Sequence, residues 1–446
     1  MASTVSDVES ALSSAAPQTS VAPAVPRGKA VSVILASVLF RLALRMPRLA
    51  LGLGAIAGCV IVTVVALGDS ALKVSLGLAL ARYGIDAVEG TLGLSMLVGL
   101  VASRGLIRLP RRRKDGMGEG DLEKACEILS GQPNASAGLV RLGDKRLLFS
   151  ECGEGFVMYA RQGRSLVALF DPVAPKRLWP ELAMKFVDEA RRLKCRPVFY
   201  QVSPDFLPTA IDLRLQALKL GEQAVIDLSR FTLAGGDWVK LRRSINRAER
   251  DGLAFEWLEQ DAVSGVMDEL ETVSNTWLSA HQSAEKGFSL GVFDRDYVAA
   301  GPVAVIRLEG RIVAFASVMT ASNAGDAFID LMRHVPGVHR GMMDLLFVRI
   351  IETLKARGLA TLNLGMAPLA GLSDHQRAPV WNHLGRQIFE HGEEFYNFRG
   401  VRAFKEKFDP DWQPRYLAVA GQGFPVVSLL DVTLLIGGGI KGLLKK

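Results

Sequence analysis

The strongest constraint on what this chain can fold into is an order of elements that occurs twice. Short β-rich runs at 146–150, 155–161 and 165–170 are separated by turn residues. Helical spacing over 181–193 follows, then a buried strand over 197–202, another helical piece and two short strands ending near Leu228. The order then returns. Runs 303–308 and 311–320 make a hairpin around Glu309-Gly310, and 327–333 is a third strand. An amphipathic helix over 341–357 carries Met343, Leu346, Phe347, Ile350, Ile351 and Leu354 on one side. A strand over 361–365 and a helix over 378–390 complete the copy. Two copies of one α/β unit predict two similar domains packed together, 118–232 and 233–425.

What precedes the repeat has a different character. Residues 1–28 are rich in Ala, Ser, Val and Pro and predict a disordered tail. No basic stretch leads directly into an apolar core there, so the tail does not read as a signal peptide. Residues 29–115 read as a membrane anchor. The stretch 49–68 has no charge, and crossing a bilayer takes roughly 20 residues. A weaker span at 88–106 makes the count one or two, because Asp86 and Glu89 would be costly deep in lipid. Arg41, Arg45 and Arg48 precede the first stretch, and Arg111-Arg112-Arg113-Lys114 follows the second. Positive residues on both outer flanks predict that everything after Lys114 faces the cytosol. Residues 426–446 are apolar and end in Lys445-Lys446, which fits an amphipathic segment on the membrane surface or packing against the second domain.

The formal net charge is +7, which favours anionic partners without choosing between nucleic acid and lipid heads. The four cysteines have no metal-ligand spacing and read as free thiols; no metal is expected. Between the two copies, Lys240, Arg243 and Arg247 share one face of a helix by their three- and four-residue spacing. Such a face is either solvated or a contact for the phosphates of a nucleic acid or a lipid head.

The segment 328–408 interleaves apolar runs with charged and amide residues: Phe328-Ile329-Asp330-Leu331-Met332-Arg333-His334, Asn363-Leu364-Gly365-Met366, His391-Gly392-Glu393-Glu394-Phe395-Tyr396-Asn397-Phe398 and Arg402-Ala403-Phe404-Lys405-Glu406-Lys407-Phe408. Five of the six histidines lie between His334 and His391. With Gly163-Arg164-Ser165, Asp171-Pro172-Val173, Phe199-Tyr200-Gln201-Val202, Lys219-Leu220-Gly221-Glu222, 285–291 and Pro414-Arg415-Tyr416, this pattern resembles the synthase domain of the multiple peptide resistance factor family, the phosphatidylglycerol aminoacyltransferases. The resemblance covers about 120–420. It implies an α/β fold of tandem, duplicated GNAT-like (N-acetyltransferase-like) domains behind one or two transmembrane helices. It implies aminoacyl-tRNA as co-substrate, phosphatidylglycerol as acceptor, a bacterial cytoplasmic membrane, and no DNA. Long family members carry many more membrane helices, so a synthase without lipid flipping is expected here.

Coenzyme A chemistry needs a glycine-rich loop whose N–H groups hold a pyrophosphate at a helix N-terminus. In Arg333-His334-Val335-Pro336-Gly337-Val338-His339-Arg340-Gly341, Pro336 removes a donor and the glycines are spaced differently, so no cofactor is expected. Transesterification needs a base for the attacking hydroxyl, donors for the oxyanion, and groups that hold two polyanionic substrates. Asp330 and Arg333 share a side if a helix starts early and oppose each other if a strand runs through both. The resemblance puts this Asp-x-x-Arg element in the active site, with Asp330 as base or orienter and Arg333 as its partner or a phosphate clamp. Glu393 or Glu394 suits an α-ammonium group. Lys405 and Lys407 alternate, so one is expected to reach a substrate phosphate and the other solvent, with Lys405 taken for the cleft; Arg415 is a further phosphate candidate, and Tyr396 and Asn397 are expected at substrate hydroxyls or in the core. No histidine-centred triad is apparent, and Ser289 lacks a nucleophile elbow. Transfer to another lipid or a peptidoglycan precursor, or non-catalytic binding of tRNA or lipid, are the alternatives.

Overall fold

A computed structural model describes residues 117–118, 120–281, 285–321, 325–373, 375, 381–383, 398–421 and 425–438. The tail, the expected spans within 29–115 and, apart from the helical residues 381–383, the expected helix over 378–390 lie outside the described residues. Among those described, no helix is long and apolar enough to cross a membrane.

The repeat folds as a repeat. The first copy is β1 (Arg146–Phe149), β2 (Phe156–Gln162), β3 (Ser165–Leu169), a helix Trp179–Arg192, β4 (Arg196–Val202), a short helix Leu207–Asp212 and β5 (Leu215–Asp227). The second is β6 (Leu253–Leu258), β7 (Val303–Leu308), β8 (Arg311–Thr320), β9 (Asp326–His334), a helix Met342–Ala356, β10 (Thr361–Pro368), a helix Phe398–Glu406 and β11 (Asp411–Ala420). In chain order the helices are α1 (Asp121–Ser130), α2 (Trp179–Arg192), α3 (Leu207–Asp212), α4 (Val239–Arg250), α5 (Met267–Ala280), α6 (Met342–Ala356), α7 (Phe398–Glu406) and α8 (Val426–Ile436). Helix α2 shows the local logic. Pro180 fits the first turn, Glu181 lies at the positive end, Arg191 and Arg192 lie at the negative end, and Leu182, Ala183, Phe186, Val187 and Ala190 form the buried face.

All eleven strands form one sheet in the order β1-β2-β3-β4-β11-β5-β10-β9-β8-β7-β6. The terminal strands are exchanged. Strand β11 lies between β4 and β5, and β5 lies between β11 and β10. Each copy therefore completes the other, and the two are fused by an antiparallel ladder from Asp411↔Val225 to Ala420↔Leu215.

One sequence expectation changes here, and two strands were not expected at all. The two short strands before Leu228 are one 13-residue strand, β5. Gly221 permits this, because a Cβ there would lie 2.5 Å from the Ala367 carbonyl oxygen. Strands β6 and β11 carry charged or proline residues that hide their alternation, and they pair nonetheless.

One face of the sheet has a single core shared by both copies, including Phe156, Leu169, Leu220, Leu417, Val305, Phe315, Phe328 and Leu331. Helix α1, the 3-10 helix Ala135–Leu142, α5 and α8 contribute to it. The other face has two separate cores, one with α2 and one with α4 and α6.

Candidate active site

Parallel strands β9 and β10 pair only at Thr361↔Asp326, Leu362↔Ala327 and Asn363↔Phe328. Beyond that point the registered pairing stops, and both strands are irregular. Against β5, three steps of β10 from Asn363 to Met366 oppose two from Val225 to Gln223. Gly365 takes φ +79° here, and its N–H donates to Asn363 Oδ1 at 2.8 Å. Against β8, three steps of β9 from Ile329 to Met332 oppose two from Val318 to Ala316. This extra residue is a β-bulge.

The bulge decides where the Asp-x-x-Arg pair points. Phe328 and Leu331 belong to the shared core, whereas Ile329 and Met332 belong to the opposite one. The strand does continue through both charged residues, yet Asp330 and Arg333 share a face. The expectation that an unbroken strand would oppose them is corrected by that one inserted residue.

Asp330 is partly buried, with its carboxylate turned inward. Tyr297 Oη donates to Oδ2 at 2.7 Å and the Gly291 N–H donates to Oδ1 at 2.9 Å. Burial raises its proton affinity against those two hydrogen bonds and the charges of Lys145 and Arg333. Burial first, and then Asp330 itself, push the Tyr297 phenol up, so Tyr297 stays a donor. Gly291 is required, since a Cβ there would lie 1.7 Å from Asp330 Oδ2.

Arg333 lies over the Trp277 ring, 4.3 Å from its centroid, and pairs with Glu285 Oε2 at 3.0 Å. Its second terminal nitrogen donates to the Met332 carbonyl at 3.1 Å, while its buried Nε has no partner. His281 stacks against Trp277 at 4.4 Å. Burial first, and then His281, pull the His334 imidazole down.

Lys405 enters from the other side. Helix α7 is pinned by Phe404 and Phe408, both packed on Phe347 of α6, with centroids 5.0 and 5.4 Å away. Arg402, one turn earlier, pairs with Glu222 at 3.0 Å and lies over Trp412. Lys405 is thereby turned inward, and its Nζ donates to the Gly365 and Met366 carbonyls at 2.9 and 3.0 Å. Burial without a neighbouring carboxylate lowers its pKa to about 7. An ammonium has three N–H donors, and two are used here.

The remaining sequence candidates are spread more widely. Lys407 is half exposed and pairs with Asp344 at 2.8 Å, and Asp344 also accepts from Ser244 Oγ at 2.8 Å. Arg415 lies on the shared-core side of β11, bonded to Gln223 Oε1, with Asp171, Asp205 and Asp326 close enough to act on its charge. Lys240, Arg243 and Arg247 are exposed on α4, whose buried side is Leu241, Ile245 and Ala248. Arg243, Asn246, Arg247 and Arg250 line an open depression of about 570 Å³. Sequence reasoning missed Arg250, which continues the same three- and four-residue spacing. It also missed Tyr297, Trp277 and Lys145, whose relevance arises only through long-range contacts. Glu393, Glu394, Tyr396 and Asn397, with His391, lie outside the described residues. Among the described residues no cluster of His, Cys, Asp or Glu could hold a metal ion.

The chain is similar to known proteins. Residues 127–419 match the family model described as "Phosphatidylglycerol lysyltransferase, C-terminal". A phosphatidylglycerol lysyltransferase of Bacillus subtilis (strain 168) is 36% identical over 329 residues, 73% of this chain and 38% of that protein. The chain thus spans little more than a third of that relative's length. Among solved structures, the C-terminal domain of a candidate lysylphosphatidylglycerol synthetase from Agrobacterium fabrum is 48% identical with a TM-score of 0.66, covering 72% of this chain and 98% of that one. L-PGS from Bacillus licheniformis is 36% identical with a TM-score of 0.64, covering 73% and 99%. The chain belongs to the phosphatidylglycerol lysyltransferase C-terminal family.

Proposed function

We propose that this chain transfers an aminoacyl group, lysyl by the names of its relatives, from aminoacyl-tRNA to a glycerol hydroxyl of phosphatidylglycerol. The observation that carries this reading is the opened β9–β10 seam. It has Asp330 and Arg333 on one face and the Lys405 ammonium reaching in from the other, all within the family-matched region.

Asp330 takes the proton of the lipid hydroxyl, and burial gives it a higher proton affinity than an exposed carboxylate has. The hydroxyl oxygen attacks the aminoacyl ester carbonyl and an oxyanion forms. The third N–H of Lys405 and the free Nε–H of Arg333 are suited to receive that oxyanion or a lipid phosphate oxygen. The ester C–O bond to the tRNA then breaks, and the departing ribose oxygen takes up a proton. The exposed Lys240, Arg243, Arg247 and Arg250 suit the tRNA phosphates, and Arg415 and Lys407 are further phosphate candidates. Glu393 or Glu394 would receive the α-ammonium, and Tyr396 and Asn397 would bind substrate hydroxyls. The chain would act at the cytosolic side of a bacterial membrane, anchored through 29–115, and each product would make the lipid surface less anionic.

The test is mass spectrometry of lipids after incubation of the full chain with charged tRNA and phosphatidylglycerol vesicles. The expected product is a phosphatidylglycerol heavier by one amino-acid residue, absent with Asp330→Ala. No such lipid from folded protein would overturn the proposal, and a product on another acceptor would redirect it.

A further inference from the structure

A second buried charge lies beneath the Asp330 side of the site, and no step above uses it. The Lys145 side chain is fully buried. Its Nζ donates to the Leu139 carbonyl at 2.9 Å and to Asp144 Oδ1 at 2.6 Å. The other oxygen of Asp144 accepts from the Phe288 N–H at 3.2 Å. Three residues on, the Gly291 N–H donates to Asp330. The segment from Phe288 to Gly291 is therefore laced at one end to the carboxylate beside Lys145 and at the other to Asp330. Phe288 accepts a positive φ of 64° to make this turn, with its ring sunk in the shared core.

An ammonium removed from water is costly unless its position is used or its partners compensate. Burial pulls the proton affinity of Lys145 down; the charge and hydrogen bond of Asp144 oppose this directly, and Asp330 opposes it through space. We propose that Lys145 is a positioning residue: it keeps Asp330 ionised and, through Asp144 and the Phe288–Gly291 segment, oriented toward the seam. This rests on the reading of Asp330 as the base.

The groups facing Asp330 come from several elements. Tyr297 donates from its short helix Arg295–Val298, Arg333 acts along β9 and Lys145 acts from the turn before β1, while Asp144 and Arg141 act on Tyr297. Lys145 and Arg333 lower the proton affinity of Asp330 and burial raises it. Removing the Lys145 charge alone moves Asp330 upward.

The experiment is the pH dependence of kcat/KM for lipid aminoacylation by the full chain, in Lys145→Met, Lys145→Arg and Asp144→Asn. It is paired with infrared titration of the Asp330 carboxyl band, identified by its loss in Asp330→Asn. Lys145→Met is expected to move the acid limb to higher pH, with a loss of about tenfold at its acid end that alkaline pH restores. Lys145→Arg keeps the charge and the wild-type limb. Asp144→Asn keeps an acceptor for Phe288 but removes the carboxylate that holds Lys145 charged against its burial, so it moves the limb to higher pH, as Lys145→Met does. A band that titrates identically in wild type and folded Lys145→Met overturns the inference. If Lys145→Met does not fold, an unmoved band in Asp144→Asn overturns it. A band that shifts while the rate profile stays fixed leaves Lys145 acting on Asp330 and rejects Asp330 as the base.

Discussion

The two copies of the unit differ most at the same place, the seam between their parallel strands. In the first copy, β3 and β4 stay paired from Ser165↔Arg196 to Leu169↔Tyr200, and the Phe170 N–H carries the bonding on to the Tyr200 carbonyl at 2.9 Å. In the second, β9 and β10 part after three pairs, and both strands bulge. The closed seam is lined by Ser165, Leu166, Val167, Ala168 and Leu169, all buried. The open seam leaves the Gly365 and Met366 carbonyls to be met by Lys405. On the proposed function, the duplicated scaffold keeps one copy as support and gives up backbone pairing in the other to make room for chemistry. The exchange of β5 and β11 makes the support physical, because the Glu222 partner of Arg402 comes from the first copy.

Breaking the open seam should have the largest effect. Asp330→Asn should lower kcat by about 10²- to 10⁴-fold, the range of a general base. The same substitution should stabilise the fold at neutral pH. The folded carboxyl binds its proton more tightly than the unfolded one, so ionisation costs stability as pH rises above the unfolded value. Thermal unfolding against pH checks this, and an Asp330→Asn chain with wild-type turnover would break the comparison. Lys405→Met comes next, with an expected loss of about 10²-fold in kcat. For this lysine the sign reverses. Between its folded value of about 7 and the unfolded value of 10.5, the unfolded chain holds more protons, so wild-type stability rises with pH across that window. Lys405→Met should lose this slope, which denaturant titrations at pH 7 and pH 10 would reveal.

Smaller effects follow where geometry or long-range charge is changed. Gly365→Ala has room for its methyl group, 3.8 Å from Lys405 Nζ and Phe328, but must hold φ +79°. It should cost about 1–2 kcal/mol and turn the carbonyl that Lys405 meets, so denaturation and kcat should change together. On α4, Arg243→Gln with Arg247→Gln should raise KM for charged tRNA and leave kcat unchanged. The dependence of log KM on log salt should flatten by about 0.7–0.9 per charge removed. Unchanged salt dependence would exclude that face from tRNA binding.

Much of the fold was legible because hydrophobic periodicity survives in each unit. The hairpin 303–320 and the amphipathic face of α6 are examples. The exchange of terminal strands was not, since β11 reads as charged and proline-broken and finds its partners 186 to 205 residues away in β5. The candidate site was legible in residue type more than in geometry. Spacing alone puts Asp330 and Arg333 on opposite sides of a strand, and only the bulge, set by β8, brings them together. The alternation of Lys405 and Lys407 gives no helix signal; their different fates follow from Phe404 and Phe408 gripping Phe347. Lys145 looks like any loop lysine until burial and Asp144 are seen.

The least effect is expected at the closed seam, and it sharpens the contrast most. Asp171 follows β3 and accepts from the Ser203 N–H at 2.9 Å, just beyond β4. Burial raises its proton affinity, opposed by the Ser203 hydrogen bonds and by Arg415. Asp171→Asn keeps an acceptor for Ser203 and removes a charge whose ionisation costs folding free energy. The variant should therefore lose part of the decline in stability as pH rises above about 4, and be at least as stable as wild type at pH 7. Its kcat should stay within about twofold, because a pure support element contributes nothing that is made only in the transition state. A fall in kcat of the size expected for Asp330→Asn would mean that the closed seam also takes part in the chemistry. Division of labour between the copies would then be the wrong reading of their difference.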